Sequence, residues 1–215
     1  MSRKDLIIDF ETMGNNLENH DVAIIDCSAF IFDWERFKIN PYSFEEIVKK
    51  STRYKLSVKD QVENYSFVVE DGAVKFWSKQ SKEVRKRIAP KQTDLTLDEF
   101  FSNFSQKFLL DGPKIEYWWS RSNTFDPHII WRISNIFKKR EMLNEYLKFW
   151  RIRDVRTYID AKFDFGTMNN FVPINDEDYW NKSFQMHNSK HDIAADVLRL
   201  QAIHRAENEL EQVNR

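Results

Sequence analysis

Hydrophobic and polar positions near the start of the chain predict two long, neighbouring strands. Residues 6–10 form an apolar run that contains Asp9 and is followed by Glu11, and residues 22–32 form a second, longer apolar run. Side chains alternate between the two faces of a strand, so Asp9 and Glu11 are predicted to share one face while their apolar neighbours take the other. The end of the first strand therefore presents two carboxylates side by side.

Apolar residues at steps of three and four predict helices through the rest of the chain. In residues 96–110 a phenylalanine stripe has this spacing, and Thr96 with Glu99 has the pattern of a capping box. Residues 163–190 have little periodicity and are predicted to be a long loop. The other predicted helices span 44–50, 74–88 with a break at Ser81, 127–139, 155–162 and a segment beginning near Ser189, and shorter strands are predicted at 55–58, 114–119 and 149–154.

The order of these elements predicts an α/β fold. Strands come first, helices and strands then alternate, and a helix comes last, which is typical of a mixed sheet flanked by helices. A length of 215 residues without a repeat or a linker favours a single domain over residues 1–215. The 41% of hydrophobic residues, with 18 Phe, 7 Trp and 7 Tyr, is enough to fill a large core.

The overall charge does not single out a partner. The formal net charge is −1, so contacts with nucleic acid would have to come from local basic clusters. Such clusters occur at residues 49–55, 82–87 and 138–140, where they either guide phosphates or are solvated faces. The sequence gives no indication of the oligomeric state.

The use of cysteine and the absence of long apolar segments bear on localisation. Cys27, the single cysteine, lies within the second apolar run, which favours a buried thiol and a reducing compartment. The apolar stretch at residues 6–8 is too short for a secretion signal, and no run is long enough to span a membrane. We therefore expect a soluble cytoplasmic protein without a membrane partner.

Acidic residues are the candidate chemical groups. Two carboxylates buried side by side repel each other unless a cation lies between them, so Asp9 and Glu11 favour a divalent metal ion, although a solvated strand end has the same pattern. Asp126 precedes Pro127, which fits either a helix cap or a ligand. His191 taken alone is typical of a surface histidine.

Three acidic motifs follow one another along the chain. They are Asp9-x-Glu11, Phe125-Asp126 and His191-x4-Asp196, and in this order they resemble the DEDDh group of 3'-to-5' exonucleases. The opening at residues 7–14 is similar to the branch that includes exonuclease A of T-even bacteriophages and related exoribonuclease-like domains. Further likeness to this branch occurs at residues 77–81, 89–90, 149–157 and 191–192, so that the resemblance covers residues 6–202.

The resemblance implies a ribonuclease H-like fold and a pair of Mg²⁺ ions, with Mn²⁺ as the alternative. By this likeness Asp9 bridges both ions, Glu11 and Asp126 each support one, and Asp196 holds the ion that carries the attacking water. His191 is then the general base. The match departs at Ser122, where proofreading enzymes often have asparagine, and this leaves open the hydrogen bonding around Asp126.

Substrate contacts are also implied by the resemblance. Thr12 and Met13 are expected to contact the terminal sugar and base. Trp77, Trp118 and Trp119 are either stacking platforms for single-stranded bases or core residues.

The expected function is hydrolysis of single-stranded DNA from the 3' end to release nucleoside 5'-monophosphates, in the host cytoplasm if the protein is encoded by a phage. An exoribonuclease acting on short RNA and a non-catalytic nucleic-acid-binding protein are the alternatives.

Overall fold

The computed structural model of the chain describes residues 2–15, 21–162 and 184–213, with side chains up to residue 207. Most of the loop predicted at residues 163–190 therefore lies outside the described residues. Within the described ranges, no helix is both long and apolar enough to cross a membrane.

A five-stranded mixed sheet forms the centre of the fold, in the order β3-β2-β1-β4-β5. β1 lies in the middle, antiparallel to β2 and parallel to β4, while β3 and β5 form the two edges. The strands are β1 Lys4–Thr12, β2 Ile24–Asp33, β3 Thr52–Lys55, β4 Trp118–Ser120 and β5 Ile152–Asp154. This order of strands, with helices on both faces, confirms the α/β, ribonuclease H-like fold.

Helices connect and cover the strands. They are α1 Arg36–Ile39, α2 Phe44–Lys50, α3 Val58–Tyr65, α4 Asp71–Ser78, α5 Lys82–Ile88, α6 Leu97–Ser105, α7 Asp126–Ile136, α8 Arg140–Tyr146, α9 Val155–Lys162 and α10 Ser189–Val213. A π-helical turn, Gln106–Leu110, extends α6, and a 3-10 turn, Phe149–Arg151, precedes β5. The capping box of Thr96 and Glu99 is confirmed at the start of α6.

Several predicted boundaries differ from the structure. The strand predicted at residues 55–58 is wrong, because the Ser57 hydroxyl accepts a hydrogen bond from the Asp60 backbone N–H and caps α3. The strand predicted at 114–119 is shorter in the structure, where β4 spans only Trp118–Ser120. The helix predicted at 127–139 ends earlier, at Ile136. α8 was not predicted.

The alternation of side chains along β1 builds two cores. Leu6, Ile8 and Phe10 belong to a buried cluster that also contains residues of α6 and α7. Ile7 points to the other face, where the cluster includes residues of α2, α9 and α10. Because Asp9 is two residues after Ile7, it shares the face covered by α10.

A buried polar network fixes the start of α10 on the sheet. The Ser189 hydroxyl donates to the Asp26 carboxylate and lies 2.7 Å from the Ser28 hydroxyl. Asp26 is fully buried and also pairs with Arg53 of β3. Ser189 is therefore a tether to β2.

Candidate active site

Three carboxylates from opposite ends of the chain meet at the end of β1. Asp9 and Glu11 extend from β1, and Asp192 comes from the first turn of α10. Each of the three carboxylates has one oxygen atom that lies within 4.8 Å of the corresponding oxygen atoms of the other two. The Ser189 tether to β2 gives this geometry its physical basis, since it fixes the first turn of α10 over the sheet.

Asp126 supplies a fourth buried carboxylate beside β1. Asp126 is only 4% exposed, and its carboxylate accepts a hydrogen bond from the Phe10 backbone N–H at 3.0 Å. Asp126 is the first residue of α7, and Phe125 occupies the N-cap position. The carboxylate of Asp126 is thus bound to β1, next to Asp9.

The electrostatics of these groups favour a cation. Burial and the charge of Glu11 raise the pKa of Asp9, and burial and Asp192 raise the pKa of Glu11. Burial raises the pKa of Asp192 to about 7, and the negative charge of Asp196 is the second cause of this rise. Burial also raises the pKa of Asp126 to about 7, against the hydrogen bond from Phe10. Clustered oxygen donors with this mutual repulsion fit a divalent metal ion.

A cavity of about 530 Å³ opens beside the carboxylates. Its lining combines acidic, basic and apolar groups, namely Asp9, Glu11, Arg121, Arg156, Phe184, Met186, His187, Asp192 and Arg199. Because carboxylates and guanidinium groups face one space, the cavity can hold a cation and an anionic group together.

His187 is held in this cavity by α4 and α5. Its ring lies edge-on to Phe76 and Trp77, with centroid distances of 5.0 and 5.8 Å. Arg87 of α5 donates a hydrogen bond to the His187 carbonyl, and His187 has a left-handed φ of 58°. Burial and the charge of Arg87 lower the pKa of His187, which favours the neutral imidazole.

His191 and Asp196, the base and the ligand predicted from the sequence, are held by α2 and by two arginines. The His191 ring packs edge-on against Phe44 of α2 at 5.1 Å, and its Nδ1 accepts a hydrogen bond from the Gln185 backbone N–H. Asp196 is buried and pairs with Arg121 at 2.8 Å and Arg199 at 2.7 Å. Among the described residues, the cavity lining includes His187 and Asp192 and not this pair.

The chain contains the His-x4-Asp spacing twice. His187 and Asp192 form one frame, and His191 and Asp196 form the other, four residues later. Four residues are close to one helical turn, so both acids project from nearly the same side of α10. The first frame was not predicted, although its spacing is visible in the sequence.

A second cavity, of about 370 Å³, lies on the other side of Glu11. Thr12 lines it, and the Thr12 hydroxyl donates to the Gly14 carbonyl at 2.6 Å. Met13 packs against the core, and its backbone N–H donates to the Ala23 carbonyl at 2.7 Å. A side chain at position 14 would meet Val22 and Glu70 at 2.6 Å, so glycine allows the close approach of this turn.

The three tryptophans considered for base stacking are core residues. Trp77, Trp118 and Trp119 are buried, and each indole N–H has a partner within the protein. Trp77 donates to the Thr12 carbonyl at 2.9 Å and thereby fixes the wall of the second cavity. Their burial favours the core role for all three, and Trp77 also lines the second cavity.

The fold and the site together define a class of protein. A sheet in the order β3-β2-β1-β4-β5, with clustered carboxylates from β1, the start of α7 and the last helix, is that of the ribonuclease H-like exonucleases with DEDD motifs.

The chain belongs to the family of the 3'-5' exoribonuclease Rv2179c-like domain, whose model matches residues 4–204. It is also similar to a protein of Enterobacteria phage T4 named exodeoxyribonuclease, with 30% identity over 208 residues, 90% of this chain and 86% of the phage protein. These comparisons confirm the predicted family. The chain is a 3'-to-5' exonuclease of nucleic acid.

Proposed function

We propose that this exonuclease acts on single-stranded DNA and releases nucleoside 5'-monophosphates with the help of two Mg²⁺ ions. The observation that carries the proposal is the set of carboxylate oxygens of Asp9, Glu11 and Asp192 within 4.8 Å of one another, at the edge of a cavity that arginines also line. DNA is favoured by the similarity to a phage protein named exodeoxyribonuclease. RNA is the second candidate, because the family model is named for an exoribonuclease.

The proposed ligands are Asp9, Glu11, Asp126 and Asp192. Asp192 takes the place predicted for Asp196, because Asp192 lies with Asp9 and Glu11 whereas the Asp196 charge is balanced by two arginines. When bound, the ions supply Lewis acidity to the attacking water and to the leaving 3'-oxygen. Asp126 is kept in position by the Phe10 backbone N–H, and this hydrogen bond leaves the carboxylate with further lone pairs.

His187 is the proposed general base, in the place predicted for His191. Its neutral imidazole accepts a proton from the water as the water attacks phosphorus, and then releases the proton to solvent. Support comes from the position of His187 in the lining of the cavity and from its ring contacts with Phe76 and Trp77. Ring contacts on α4 and the Arg87 hydrogen bond reduce the freedom of His187.

Arginines that line the same cavity are proposed to bind the phosphates. Arg121 is oriented by its ion pair with Asp196, and Arg156 lies exposed in the first turn of α9. Guanidinium groups bind phosphate oxygens through paired donors, so these arginines orient the phosphate next to the scissile bond. Asp196 thus acts as a positioning residue for Arg121.

Thr12 and Met13 are proposed to border the site of the terminal nucleotide. The second cavity begins at Glu11, so a nucleoside held there lies directly beside the proposed ligands. The hydroxyl of Thr12 is a hydrogen-bonding group for a sugar, and the turn of Met13 is fixed by its hydrogen bond to Ala23. Trp77 forms a wall of this cavity, and this wall stops the nucleic acid strand from extending beyond its terminal nucleotide.

A product assay tests the proposal. Matched DNA and RNA oligomers labelled at the 5' end are incubated with the full chain and Mg²⁺, and the products are resolved over time. We expect a ladder that shortens from the 3' end, faster for DNA, and no cleavage of a closed circle. Asp9→Asn is the inactive control. Faster shortening of RNA would move the assignment to the second candidate, and cleavage of the circle would contradict exonuclease action.

A further inference from the structure

Two adjacent aromatic side chains project into solvent just before β5. Phe149 and Trp150 are 62% and 59% exposed, and their ring centroids are 5.0 Å apart at an interplanar angle of 90°. They lie in the 3-10 turn Phe149–Arg151. Exposure of large aromatic rings to water is unfavourable, and a binding partner that covers them removes this cost. The pair therefore marks a recognition surface.

Basic residues flank this aromatic pair along the chain. The Lys148 ammonium lies 5.4 Å from the centre of the Trp150 ring, and Arg153 donates to the Trp150 carbonyl at 3.2 Å. Arg151 is next in the chain and pairs with Glu116 at 3.3 Å. Flat rings flanked by basic residues are complementary to a single nucleic acid strand, which offers both bases and phosphates.

The aromatic pair is connected directly to the catalytic cavity. β5 runs from this turn to α9, and Arg156 in the first turn of α9 lines the cavity that contains Asp9 and Asp192. The six residue steps from Trp150 to Arg156 span at most roughly 20 Å, which is about six base-stacking steps. A strand whose 3' end is in the cavity therefore reaches the aromatic pair within about six nucleotides.

We propose that Phe149 and Trp150 are a stacking platform for the 5' portion of the single-stranded substrate, several nucleotides from its reacting end. The inference rests on the proposed function, since it takes the same strand as its ligand. Stacking on a ring tolerates any base, which suits an enzyme that advances along a strand of varied sequence. The platform adds affinity for long strands and makes no contact with the shortest ones.

Substrate length provides the test. The double variant Phe149→Ala and Trp150→Ala is compared with the unaltered chain on a dinucleotide and on a 12-nucleotide strand of DNA with Mg²⁺. We expect KM for the long strand to rise about tenfold or more, with kcat unchanged, and KM for the dinucleotide to change less than about twofold. Trp150→Phe retains a stacking ring and should recover most of the affinity.

Ile39→Ala provides a matched control, because Ile39 is an exposed apolar residue of α1, 80% exposed. It should leave both substrates unaffected. Equal losses on both substrates, or none on the long strand, would overturn the platform. A dimer of the unaltered chain that the double variant converts to a monomer in sedimentation would also overturn it, in favour of a second copy. If the unaltered chain releases no mononucleotides, the proposed function itself fails.

Discussion

Asp192 and Asp196 lie about one turn apart on α10, yet their surroundings assign them different tasks. Asp192 has its carboxylate with those of Asp9 and Glu11, where like charges raise the free energy of the metal-free protein. Asp196 has two guanidinium groups, from Arg121 and Arg199, within 2.8 Å. A cation is therefore attracted to the first carboxylate, whereas the second is already neutralised.

Replacement of each aspartate by asparagine tests the two roles separately. Asp192→Asn should abolish detectable Mn²⁺ binding in titration calorimetry and lower kcat by more than about 10³-fold, because a ligand is lost. Asp196→Asn should retain Mn²⁺ affinity within about threefold and lose about 3 kcal/mol of unfolding free energy, because two buried cations lose their partner. Loss of Mn²⁺ binding in Asp196→Asn alone would support the prediction made from the sequence, in which Asp196 is the ligand.

The two histidines make a similar pair. His187→Ala should lower kcat by about 10² to 10⁴ without loss of Mn²⁺ binding, because the proposed base is removed. His191→Ala should change kcat less than about fivefold, because its ring packs against Phe44 of α2. Single-turnover rates on a 3'-terminal fluorescent strand measure both. A larger effect of His191→Ala would exchange the two roles.

The site was predictable from the sequence as a set of motifs, but its last motif was not fixed. Asp9, Glu11 and Asp126 each stand where a strand ends or a helix begins, so their order alone indicated a shared site. The His-x4-Asp motif repeats after four residues, and helical periodicity gives both frames a similar direction. Which frame lies beside the carboxylates of β1 depends on how α10 packs on β1 and β2. This packing is a long-range contact that the spacing does not encode.

At the scale of elements, α1 and α2 are linked by a surface ion-pair network. Arg36 of α1 forms two hydrogen bonds to Glu46 of α2, at 2.7 and 2.9 Å, and Lys50 lies 2.7 Å from the same carboxylate. The Arg36 hydrogen bonds lower the pKa of Glu46 to about 2 from its usual 4.5, against burial and with help from Lys50. The network fastens α1 to the layer that covers the active face of the sheet.

This network predicts a pH-dependent contribution to stability. The pKa of Glu46 is lower in the folded than in the unfolded chain, so its contribution is complete above pH 4.5 and is lost as the pH falls through about 2. Glu46→Gln should cost about 0.5–1 kcal/mol at pH 7, since solvent screens the pair, and less than half as much near pH 2. Urea unfolding at the two pH values measures the difference.

The neighbouring residue provides the control for that measurement. Glu45 is exposed on the same helix, and Glu45→Gln should leave the free energy of unfolding unchanged within about 0.5 kcal/mol at either pH. A cost of Glu46→Gln that persists undiminished at pH 2 would show that the side chain stabilises α2 by packing and not by its charge.

For the molecule as a whole, the proposed metal site links elements that are distant along the chain. β1 supplies Asp9 and Glu11, α7 supplies Asp126, and α10 supplies Asp192. An ion bound by these ligands binds only the assembled fold, and so it stabilises all of it.

This linkage has a thermal signature. Mn²⁺ at 100 times its dissociation constant adds about 2.7 kcal/mol, which should raise the Tm of the unaltered chain by roughly 5 to 10 °C. Asp9→Asn should show no such rise, and without metal it should melt above the unaltered chain, because one repelling charge is gone. Differential scanning calorimetry with EDTA or Mn²⁺ measures both. A metal-free Asp9→Asn protein that melts lower would show that the carboxylates are not in net repulsion.

The overall architecture was predictable because local patterns and tertiary packing agree. The apolar runs of β1 and β2 and the phenylalanine stripe of α6 have one stable arrangement each, and all three were predicted correctly. Short elements were harder, because β4 pairs with its neighbours over only three residues and α8 has a single fully buried residue, Leu143. Their limits depend on contacts with the sheet and not on their own periodicity.

The separation of Asp9 and Asp192 along the chain has a consequence during translation. The ribosome completes β1 and α7 before it reads the codons for α10, so the nascent chain carries three of the proposed ligands, Asp9, Glu11 and Asp126, without the fourth. Its hydrolytic centre assembles only when α10 docks on β1 and β2. With Asp192 as a ligand, as proposed, a growing copy would have no hydrolytic activity before α10 has docked.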